Sequence, residues 1–313
     1  MRKLLRITVP ASSANLGPGF DVFAIALEEP YDIVEVEYRK SEKTEIELIV
    51  EGKYPAPKML DENVLTALLL KIMEEYDLKG NFKIRLQKNI PIAMGLGSSG
   101  ASSVAAVLVA CNIFDLKLSI KEMIYLAGEG ERIVAGSAHY DNVTASLLGG
   151  FVIVPSKDLE PVRLEPDFNL RLCVVMPKID LPLKKTEFAR KILPQNVSLK
   201  QMCENISKAS RIVYSLISKD YSQLKNAIKD EVIEIHRTKF IPAYEEVRNV
   251  AYQSGALGVC LSGAGPSILA ITHKDGNPEM VLKSMIDTFN KIGIKAEGFI
   301  TNVGKGSKVE FLS

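Results

Sequence analysis

Length, composition and charge exclude several classes of protein. The 313 residues, 47% of them hydrophobic and 25% charged, are enough for about two domains with substantial cores. The 39 Lys and Arg residues nearly balance the 38 Asp and Glu residues, so no overall field attracts the chain to nucleic acid or to an anionic membrane. The N-terminal segment lacks the apolar run of a signal peptide, and the longest apolar stretch is far shorter than the roughly 20 residues of a membrane span. A cytoplasmic protein is therefore predicted.

The cysteines indicate neither a metal site nor a disulfide framework. They lie far apart in apolar surroundings, and no two of them have CxxC spacing. Zinc sites and disulfide scaffolds require closer or more regular spacing. All four are predicted to be core thiols: Cys111, Cys173, Cys203 and Cys260.

The chain begins with a strand that ends in a turn rich in glycine and proline. Residues 4–9 alternate in polarity, and the sequence PASSANLGPGFD follows. Within this turn Asn15 and Asp21, an amide and an acid, flank the apolar Phe20. A turn of this composition is also common without any function. The next predicted elements are strands at residues 22–27, 31–37 and 44–50 and a helix at residues 63–76.

A second glycine-rich turn, PIAMGLGSSGA at residues 91–101, indicates a phosphate-binding loop. It follows a strand predicted at residues 82–86 and precedes an apolar helix predicted at residues 101–114. The alternative is a capped loop that binds nothing. No lysine follows the glycines as in the Walker loop, and the HRD and DFG motifs of protein kinases are absent from the sequence.

The residue types of this loop suit an anion. Gly95, Gly97 and Gly100 permit positive φ angles and allow a ligand to approach the backbone closely. Ser98 or Ser99 is predicted to cap the helix. The positive end of the helix dipole then faces the loop, which favours a phosphate.

Acidic residues and a histidine follow the loop and its helix. Ser119 and Glu122 form a capping box, which begins a helix predicted to extend to about residue 134, with Glu131 near its end. The polar sequence HYDN at residues 139–142 comes next, before a strand predicted at residues 151–154. Taken alone, a carboxylate such as Glu131 is usually part of a solvated helix face, and His139 is assigned a structural role.

A cluster of charged residues and proline at residues 155–166 marks a domain boundary. Two domains, residues 1–160 and 161–313, are predicted. The second contains Thr186 and Arg190, which lie four residues apart on one helix face, and Arg237 before a proline. Arginine forks suit carboxylates, although a single arginine is usually only solvated.

The element order of the second domain predicts an α+β sandwich of the ferredoxin-like kind. Its elements are predicted as a strand at 170–176, helices at 199–217 and 224–235, a strand, turn and strand within 256–272, a helix at 278–291 and a strand at 294–301.

Three motifs in this order resemble those of the GHMP kinases, the superfamily that contains galactokinase, homoserine kinase and mevalonate kinase. The loop at residues 91–101 resembles the second motif, and SGAGPS at residues 262–267 resembles the third. The turn at residues 10–27 resembles the first motif of the homoserine kinase branch. Mevalonate-type members carry a lysine there, and this chain has none between Lys3 and Lys40.

The resemblance implies an α+β, two-domain GHMP kinase fold, with an N-terminal domain like the second domain of ribosomal protein S5 and a ferredoxin-like C-terminal α/β sandwich. It also implies transfer of the γ-phosphoryl group of Mg-ATP to the side-chain hydroxyl of L-homoserine, a step of threonine biosynthesis. A homodimer is compatible with it. Two alternatives are kept: a kinase of another small alcohol of the mevalonate or shikimate type, and a catalytically silent nucleotide sensor.

The resemblance also assigns roles to residues. Asp21 would hold the substrate ammonium, Arg190 and Arg237 its carboxylate, and Asn142 would orient the hydroxyl. The implied substrate-binding set is Asn15, Asp21, His139, Asn142, Thr186, Arg190 and Arg237, and the implied catalytic set is Asn142, Asp21, Ser99 and Glu131.

The nucleotide end of the site is implied in the same way. Ser99 and Glu131 would bind Mg²⁺ together with phosphate oxygens, a ligand set of the hard oxygen type that this ion prefers. Asn63 would lie beside the base, although its position suits a simple helix cap equally well. The implied ATP-binding set is Asn63, Pro91, Ile92, Ala93, Met94, Gly95, Leu96, Gly97, Ser98, Ser99, Gly100 and Ala101.

Overall fold

A computed structural model of the chain describes residues 2–136, 138–165, 167–180 and 185–312, with residues 134, 135 and 185–187 described by their backbone alone. The strands are, in chain order, β1 (Arg2–Ala14), β2 (Phe23–Arg39), β3 (Glu45–Glu51), β4 (Asn81–Gln87), β5 (Phe151–Ile153), β6 (Val162–Leu164), β7 (Leu170–Pro177), β8 (Gly258–Leu261), β9 (Ile268–His273), β10 (Ala296–Thr301) and β11 (Lys308–Leu312).

The α-helices account for most of the remaining described chain. They are α1 (Val64–Glu75), α2 (Ser98–Phe114), α3 (Ile120–Ala135), α4 (Asp141–Leu148), α5 (Lys185–Lys191), α6 (Leu199–Ser218), α7 (Leu224–Ala227), α8 (Glu234–Arg237), α9 (Tyr244–Gln253) and α10 (Pro278–Lys291). None of the helices in the described ranges is both long enough and apolar enough to cross a membrane.

The strands form two sheets. The larger has the order β11-β1-β2-β4-β3, in which β3 joins β4 in parallel, and β5 and β6 extend from β2. The smaller sheet, β10-β7-β9-β8, is antiparallel throughout. Helices α9 and α10 pack together, and α10 lies on β7 of the smaller sheet. The predicted α+β class is confirmed.

Helix α2 occupies the centre of the larger half of the molecule. It packs against α1, α3, α4 and β1, and nearly all of its residues are buried, including Ala101, Val104 and Val109. A helix that is apolar on every side must be surrounded by protein. The first turn of α2 is therefore held in a fixed position by the whole domain.

Two strands do not follow the predicted division into residues 1–160 and 161–313, because each pairs with a strand of the other segment. β6, at Val162–Leu164, still pairs with β5, and the smaller sheet begins with β7. The C-terminal strand β11 returns to pair with β1. The division into residues 1–160 and 161–313 stays a prediction, but the chain crosses between the sheets a second time near its end.

Three other elements differ from those predicted. The strands predicted at residues 22–27 and 31–37 form the single strand β2, because its first part pairs with β5 and its later part with β4. The helix predicted at residues 224–235 is interrupted, because the Asp230 carboxylate accepts the backbone N–H groups of residues 232–234 and thereby begins a new turn. Residues 141–148, for which no helix is predicted, form α4.

The cysteine prediction is wrong at one position. Cys173 and Cys260 are buried and Cys111 is half-buried, but Cys203 is exposed on α6. The thiol of Cys203 lies on the outer side of this helix, whose buried residues are Ile212 and Ser215.

Three loops meet between the two sheets, and we call this region the three-loop junction. Its loops are residues 15–22 after β1, residues 88–97 between β4 and α2, and residues 262–267 between β8 and β9.

The three-loop junction is joined by hydrogen bonds of the backbone and of serine hydroxyls. The Ser262 hydroxyl donates to the Gly95 carbonyl at 2.8 Å and accepts a hydrogen bond from the Ser13 hydroxyl at 2.8 Å. The Gly263 N–H donates to the carbonyl of Ala14 at 3.1 Å. The third loop is therefore bonded both to the loop before α2 and to the end of β1, and such buried hydrogen bonds are costly to leave unmade.

A substitution at Gly95 tests how tightly the loops of the junction pack. Its φ is +79°, and a Cβ there would lie 2.2 Å from the Ser262 carbonyl oxygen. Gly293 has the same φ of +79°, but a Cβ there meets nothing within 4 Å. We expect Gly293→Ala to lower the free energy of unfolding in urea by about 1–2 kcal/mol through backbone strain alone. Gly95→Ala should lower it by at least about 2 kcal/mol more, because the loops must separate. Equal losses in the two variants would contradict the tight packing of the junction.

Candidate active site

A cavity of about 990 Å³ lies at the three-loop junction, lined by both halves of the chain. Its walls contain most of the residues that sequence reasoning selected: Asn15, Asp21, Asn63, Pro91, Ile92, Ala93, Gly95, Leu96, Gly97, Ser98, Ser99, Glu131, His139, Asn142, Arg190 and Arg237. The volume is at the upper end of the range for small-molecule sites.

The remaining predicted residues are placed elsewhere. Ala101 is fully buried in α2, and Met94 packs against the hydrophobic core. Gly100 is buried against Asn142, whose Cβ would lie 3.2 Å from an added Cβ. These three residues shape the loop from behind and do not line the cavity. Thr186 lies on α5, but its side chain is outside the described residues.

Helix α2 points its first turn at the cavity. Its N-cap is Gly97, in the left-handed conformation with φ +67°. The predicted serine cap is wrong, because the Ser98 hydroxyl donates to the carbonyl of Ile90 at 3.2 Å. A cap without a side chain cannot cover the first N–H groups of the helix. The positive end of the α2 dipole is therefore presented to the cavity, where it favours an anion.

A buried ion pair holds this first turn in place. The Lys88 ammonium pairs with Asp32 and also donates to the Ser98 carbonyl at 2.9 Å and the Ser102 hydroxyl at 3.0 Å. Lys88 is 3% exposed and Asp32 is 1% exposed. The other Asp32 oxygen accepts two backbone N–H groups, those of residues 89 and 90. Strand β2, the loop after β4 and α2 are thus tied together by one lysine.

Removal of the lysine charge should destabilise the protein. Lys88→Met leaves the Asp32 carboxylate buried without its cation, and we expect a loss of about 3 kcal/mol in the free energy of unfolding. Lys83→Met removes an exposed pair with Glu47 and serves as the matched control, with an expected loss below about 1 kcal/mol. Urea denaturation of both variants measures the difference. A loss for Lys88→Met no larger than the control's would show that the buried pair does not hold the loop.

Asn63 combines the two roles that its position in the sequence suggests. Its side-chain oxygen accepts the N–H of Leu65 at 3.1 Å, so it is the N-cap of α1. Its amide nitrogen donates to the carbonyl of Pro57 at 2.8 Å, and the residue also lines the cavity. The segment at Pro57 is thereby fixed beside the wall of the cavity.

Glu131 and Ser99 have the character of a cation site. Burial raises the pKa of Glu131 to about 7, and a hydrogen bond from Ser99 partly opposes this rise. The Oε1 atom of Glu131 is buried without a hydrogen-bond partner among the described residues. A buried carboxylate oxygen in this state suits a hard cation such as Mg²⁺. Within the described ranges no cluster of three or more His, Cys, Asp or Glu residues could hold a metal.

An ion pair occupies the opposite end of the cavity. Nη2 of Arg190 donates to both carboxylate oxygens of Asp21, at 2.8 and 3.0 Å. The same nitrogen lies 2.7 Å from Nδ1 of His139. Burial and the Arg190 charge lower the pKa of His139, so its ring is neutral and Nδ1 accepts this hydrogen bond. The guanidinium is therefore oriented by an acid and a neutral imidazole.

Arg237 is the more buried of the two arginines. It is 7% exposed, and burial lowers its pKa. One of its nitrogens donates to the Gly263 carbonyl at 3.1 Å, and its Nε has no partner among the described residues. Asn15 donates to the same carbonyl at 3.0 Å. A buried guanidinium held by a carbonyl rather than a carboxylate is an attractive site for an anion.

Asp141 and Asn142 begin α4 between the two ends of the cavity. Burial raises the pKa of Asp141 to about 6, and Asp21 adds to this effect. Its carboxylate accepts the Asn142 N–H at 2.7 Å. The Oδ1 atom of Asn142 accepts the Ser12 hydroxyl at 2.9 Å, which leaves the amide nitrogen as the donor end of this side chain.

Glu234 supports the site from behind. It accepts the N–H of Leu261 at 2.9 Å, at the end of β8 and just before the third loop, and also accepts the Tyr244 hydroxyl. Burial raises the pKa of Glu234 to about 7 from 4.5. The stability that its proton provides is therefore fully present below pH 4.5 and is lost as the pH rises through 7.

Glu234→Gln should remove this pH dependence and keep both contacts, because its amide oxygen can accept the Leu261 N–H and its NH2 group can donate to the Tyr244 hydroxyl. We expect the free energy of unfolding of the variant, relative to the original protein, to increase between pH 5 and pH 8 by up to about 3 kcal/mol. Urea denaturation at a series of pH values measures this difference. Glu246→Gln changes an exposed carboxylate on α9 and should show no such trend. Parallel curves for the original protein and Glu234→Gln would contradict the assignment.

Sequence reasoning assigned no role to Lys88, Asp141 or Ser12. Lys88 has the appearance of a solvated lysine after a strand, and only its burial identifies it. Asp141 could have been selected, because it lies between His139 and Asn142 in a segment already considered. Ser12 contacts Asn142 across 130 residues of sequence, and no local pattern reveals such a contact.

The fold and the cavity together define a class of protein. Residues 63–150 match the family model of the GHMP kinases N terminal domain, and residues 212–291 match the model of the GHMP kinases C terminal domain. Both matched segments contribute to the cavity described above.

Relatives of known type identify a branch within this class. The chain is 41% identical to homoserine kinase of Pyrococcus abyssi over 97% of this chain and 98% of that protein. The crystal structure of homoserine kinase from Cytophaga hutchinsonii has a TM-score of 0.88 and 32% identity, covering 99% of this chain and 98% of that chain. A putative homoserine kinase from Listeria monocytogenes has a TM-score of 0.72 and 27% identity, covering 98% and 99%. The chain therefore belongs to the homoserine kinase family of the GHMP kinases.

Proposed function

We propose that the protein transfers the γ-phosphoryl group of ATP to the side-chain hydroxyl of L-homoserine, giving ADP, O-phospho-L-homoserine and a proton, in the route to threonine. The observation that carries this proposal is the ion pair of Asp21 and Arg190 at one end of a cavity whose other end is an anion-binding helix start. The family membership supports the same reaction.

The nucleotide phosphates lie at the start of α2 in this proposal. Backbone N–H groups of residues 95–99 and the helix dipole receive the negative charge, and Lys88 keeps the first turn in position. Asn63 and the segment at Pro57 lie on the wall where the base would rest. Met94, Gly100 and Ala101 act only through the shape of the loop.

Magnesium fits the residues present. Ser99 and Glu131 would hold it together with phosphate oxygens, and it would supply positive charge to neutralise the transferred group. The buried Oε1 atom of Glu131 supports this assignment. A bound cation also keeps Glu131 ionised, whereas burial alone favours its protonated form.

The acceptor is a zwitterion, and the opposite end of the cavity offers matching charges. Asp21 binds the ammonium group, while Arg190 and Arg237 bind the carboxylate. In the ligand-free protein Asp21 and Arg190 bind each other, so homoserine exchanges one ion pair for two without leaving a buried charge alone. An acceptor without an amine, such as mevalonate, leaves Asp21 without a substrate cation.

The transfer step depends on position more than on a strong base. Phosphoryl transfer passes through a loose transition state, so alignment and charge neutralisation provide most of the rate. The amide nitrogen of Asn142 donates to the acceptor hydroxyl and so orients it. The hydroxyl in turn donates to the adjacent Asp141 carboxylate. With a pKa of about 6, Asp141 is mostly ionised at neutral pH. His139 acts through Arg190, which it orients.

ADP release from Mg-ATP with a panel of acceptors tests the proposal. The panel contains L-homoserine, 4-hydroxybutanoate, which lacks the ammonium, 3-aminopropan-1-ol, which lacks the carboxylate, mevalonate, shikimate and no acceptor. We expect kcat/KM for homoserine to exceed that for either truncated acceptor by at least about 100-fold, because each loses a charge-assisted contact. Turnover only with mevalonate or shikimate would refute the proposed substrate, and nucleotide binding without turnover of any acceptor would refute the enzyme.

Asp21→Asn tests whether Asp21 binds the substrate ammonium or acts as a general base, when kcat/KM is measured with both acceptors. If Asp21 binds the ammonium, the variant should lose its preference for homoserine over 4-hydroxybutanoate, because only homoserine has an amine to bind. If Asp21 is a base, the variant would lose turnover of both acceptors equally.

A further inference from the structure

Phe20 lies beside both arginines of the acceptor end. The ring centroid is 5.5 Å from Cζ of Arg190 and 5.1 Å from Cζ of Arg237. Both distances are within the range of a cation–π contact. One aromatic ring therefore contacts the two cations that the proposed function assigns to the substrate carboxylate.

The ring is held in this place by its turn. Asn15, Leu16, Gly17 and Asp21 all have positive φ, so the backbone around Phe20 follows a tight and unusual path. The Asn15 side chain accepts the N–H of Asp21 at 3.1 Å and donates to Gly263 across the three-loop junction. The turn is thus fixed at both ends, and the ring cannot move away without breaking these contacts.

Phe20 is not an ordinary core residue. It is half-buried, and within the described chain it belongs to none of the hydrophobic clusters that form the cores of the two halves. Its ring contacts two guanidinium groups that line the cavity. A phenylalanine that packs against two cations has a reason to be aromatic rather than merely apolar.

The electrostatics of the pair explain what the ring does. Arg190 and Arg237 carry like charges, and the positive charge of Arg190 lowers the pKa of Arg237. Only one carboxylate, that of Asp21, is bonded to either of them in the described residues. The negative face of an aromatic ring attracts a guanidinium and replaces part of its lost hydration without competing for its N–H donors.

We propose that Phe20 is a positioning residue that holds the guanidinium groups of Arg190 and Arg237 ready for the acceptor carboxylate and so determines the preference for acceptors that carry one. The inference rests on the proposed function, since it assigns the arginines to the acceptor. Because the N–H donors stay available, the substrate carboxylate meets two oriented forks instead of two mobile side chains.

Phe20→Leu tests the inference, because it keeps an apolar side chain and removes the aromatic face. We expect KM for homoserine to rise about tenfold, while kcat and KM for ATP change less than about twofold. Phe20→Tyr keeps the aromatic face, and its hydroxyl can reach solvent from a half-buried site, so it should restore KM. The preference for homoserine over 3-aminopropan-1-ol should fall about tenfold in Phe20→Leu, because the acceptor without a carboxylate does not use the arginines.

Two controls separate positioning from a structural role. Phe311→Leu changes an exposed phenylalanine on the edge strand β11, far from the cavity lining, and should leave every kinetic constant unchanged. The thermal unfolding midpoint of each variant is measured beside the kinetics. If Phe20→Leu unfolds at a lower temperature, Phe20→Met provides a second variant without an aromatic face.

Each outcome decides the question. Equal losses with both acceptors, an increase in KM for ATP of the same size, or failure of Phe20→Tyr to restore KM would overturn the inference. Failure of the proposed function is distinguishable, since it appears in the acceptor panel of the original protein. Whichever carboxylic acid that panel identifies then replaces homoserine in the Phe20 series.

Discussion

The hydrogen bonds between three loops are the constraint on which the site depends. Ser262, just after β8, donates to the loop before α2 and accepts a hydrogen bond from Ser13 at the end of β1, so both halves of the chain are joined at one hydroxyl. Glycine is required where the loops touch, because a Cβ at Gly95 would collide with the Ser262 carbonyl. The cavity is lined by residues of all three loops.

The two ends of this cavity carry different groups. One end is the start of α2, whose N–H groups favour an anion and whose first turn Lys88 holds in place, whereas the other end contains the acid Asp21 and the cations Arg190 and Arg237. Between them lie the buried acids Glu131 and Asp141, whose pKa values are raised to about 7 and about 6 by burial. Raised pKa values at buried acids in a cavity are typical of functional sites, because their destabilised charge is relieved by the ligand.

At the end of the cavity that contains Asp21 and Arg190, neighbouring groups reduce the electrostatic cost of burying the charges. Asp21 neutralises Arg190, His139 stays neutral and accepts a hydrogen bond, and Phe20 offers its ring to both arginines. The charged guanidinium of Arg237 contacts a carbonyl and an aromatic ring rather than a carboxylate. In the proposed function, a ligand with one ammonium and one carboxylate offers a partner of opposite charge to Asp21 and to the arginines and leaves no group buried alone.

The sequence by itself determined the fold class, the glycine-rich loops and most of the residues around the cavity. Local signals are sufficient for these features, since positive φ angles, helix caps and period-2 strands depend on neighbours in the chain. Only the tertiary structure decided which polar groups are buried together: Lys88 with Asp32, Ser12 with Asn142, and Asp21 with Arg190 lie 56, 130 and 169 residues apart. The start of α2 was decided in the same way, because Ser98 bonds to Ile90 instead of capping the helix. Burial and long-range pairing depend on how the sheets pack, and no pattern within a short segment contains that information.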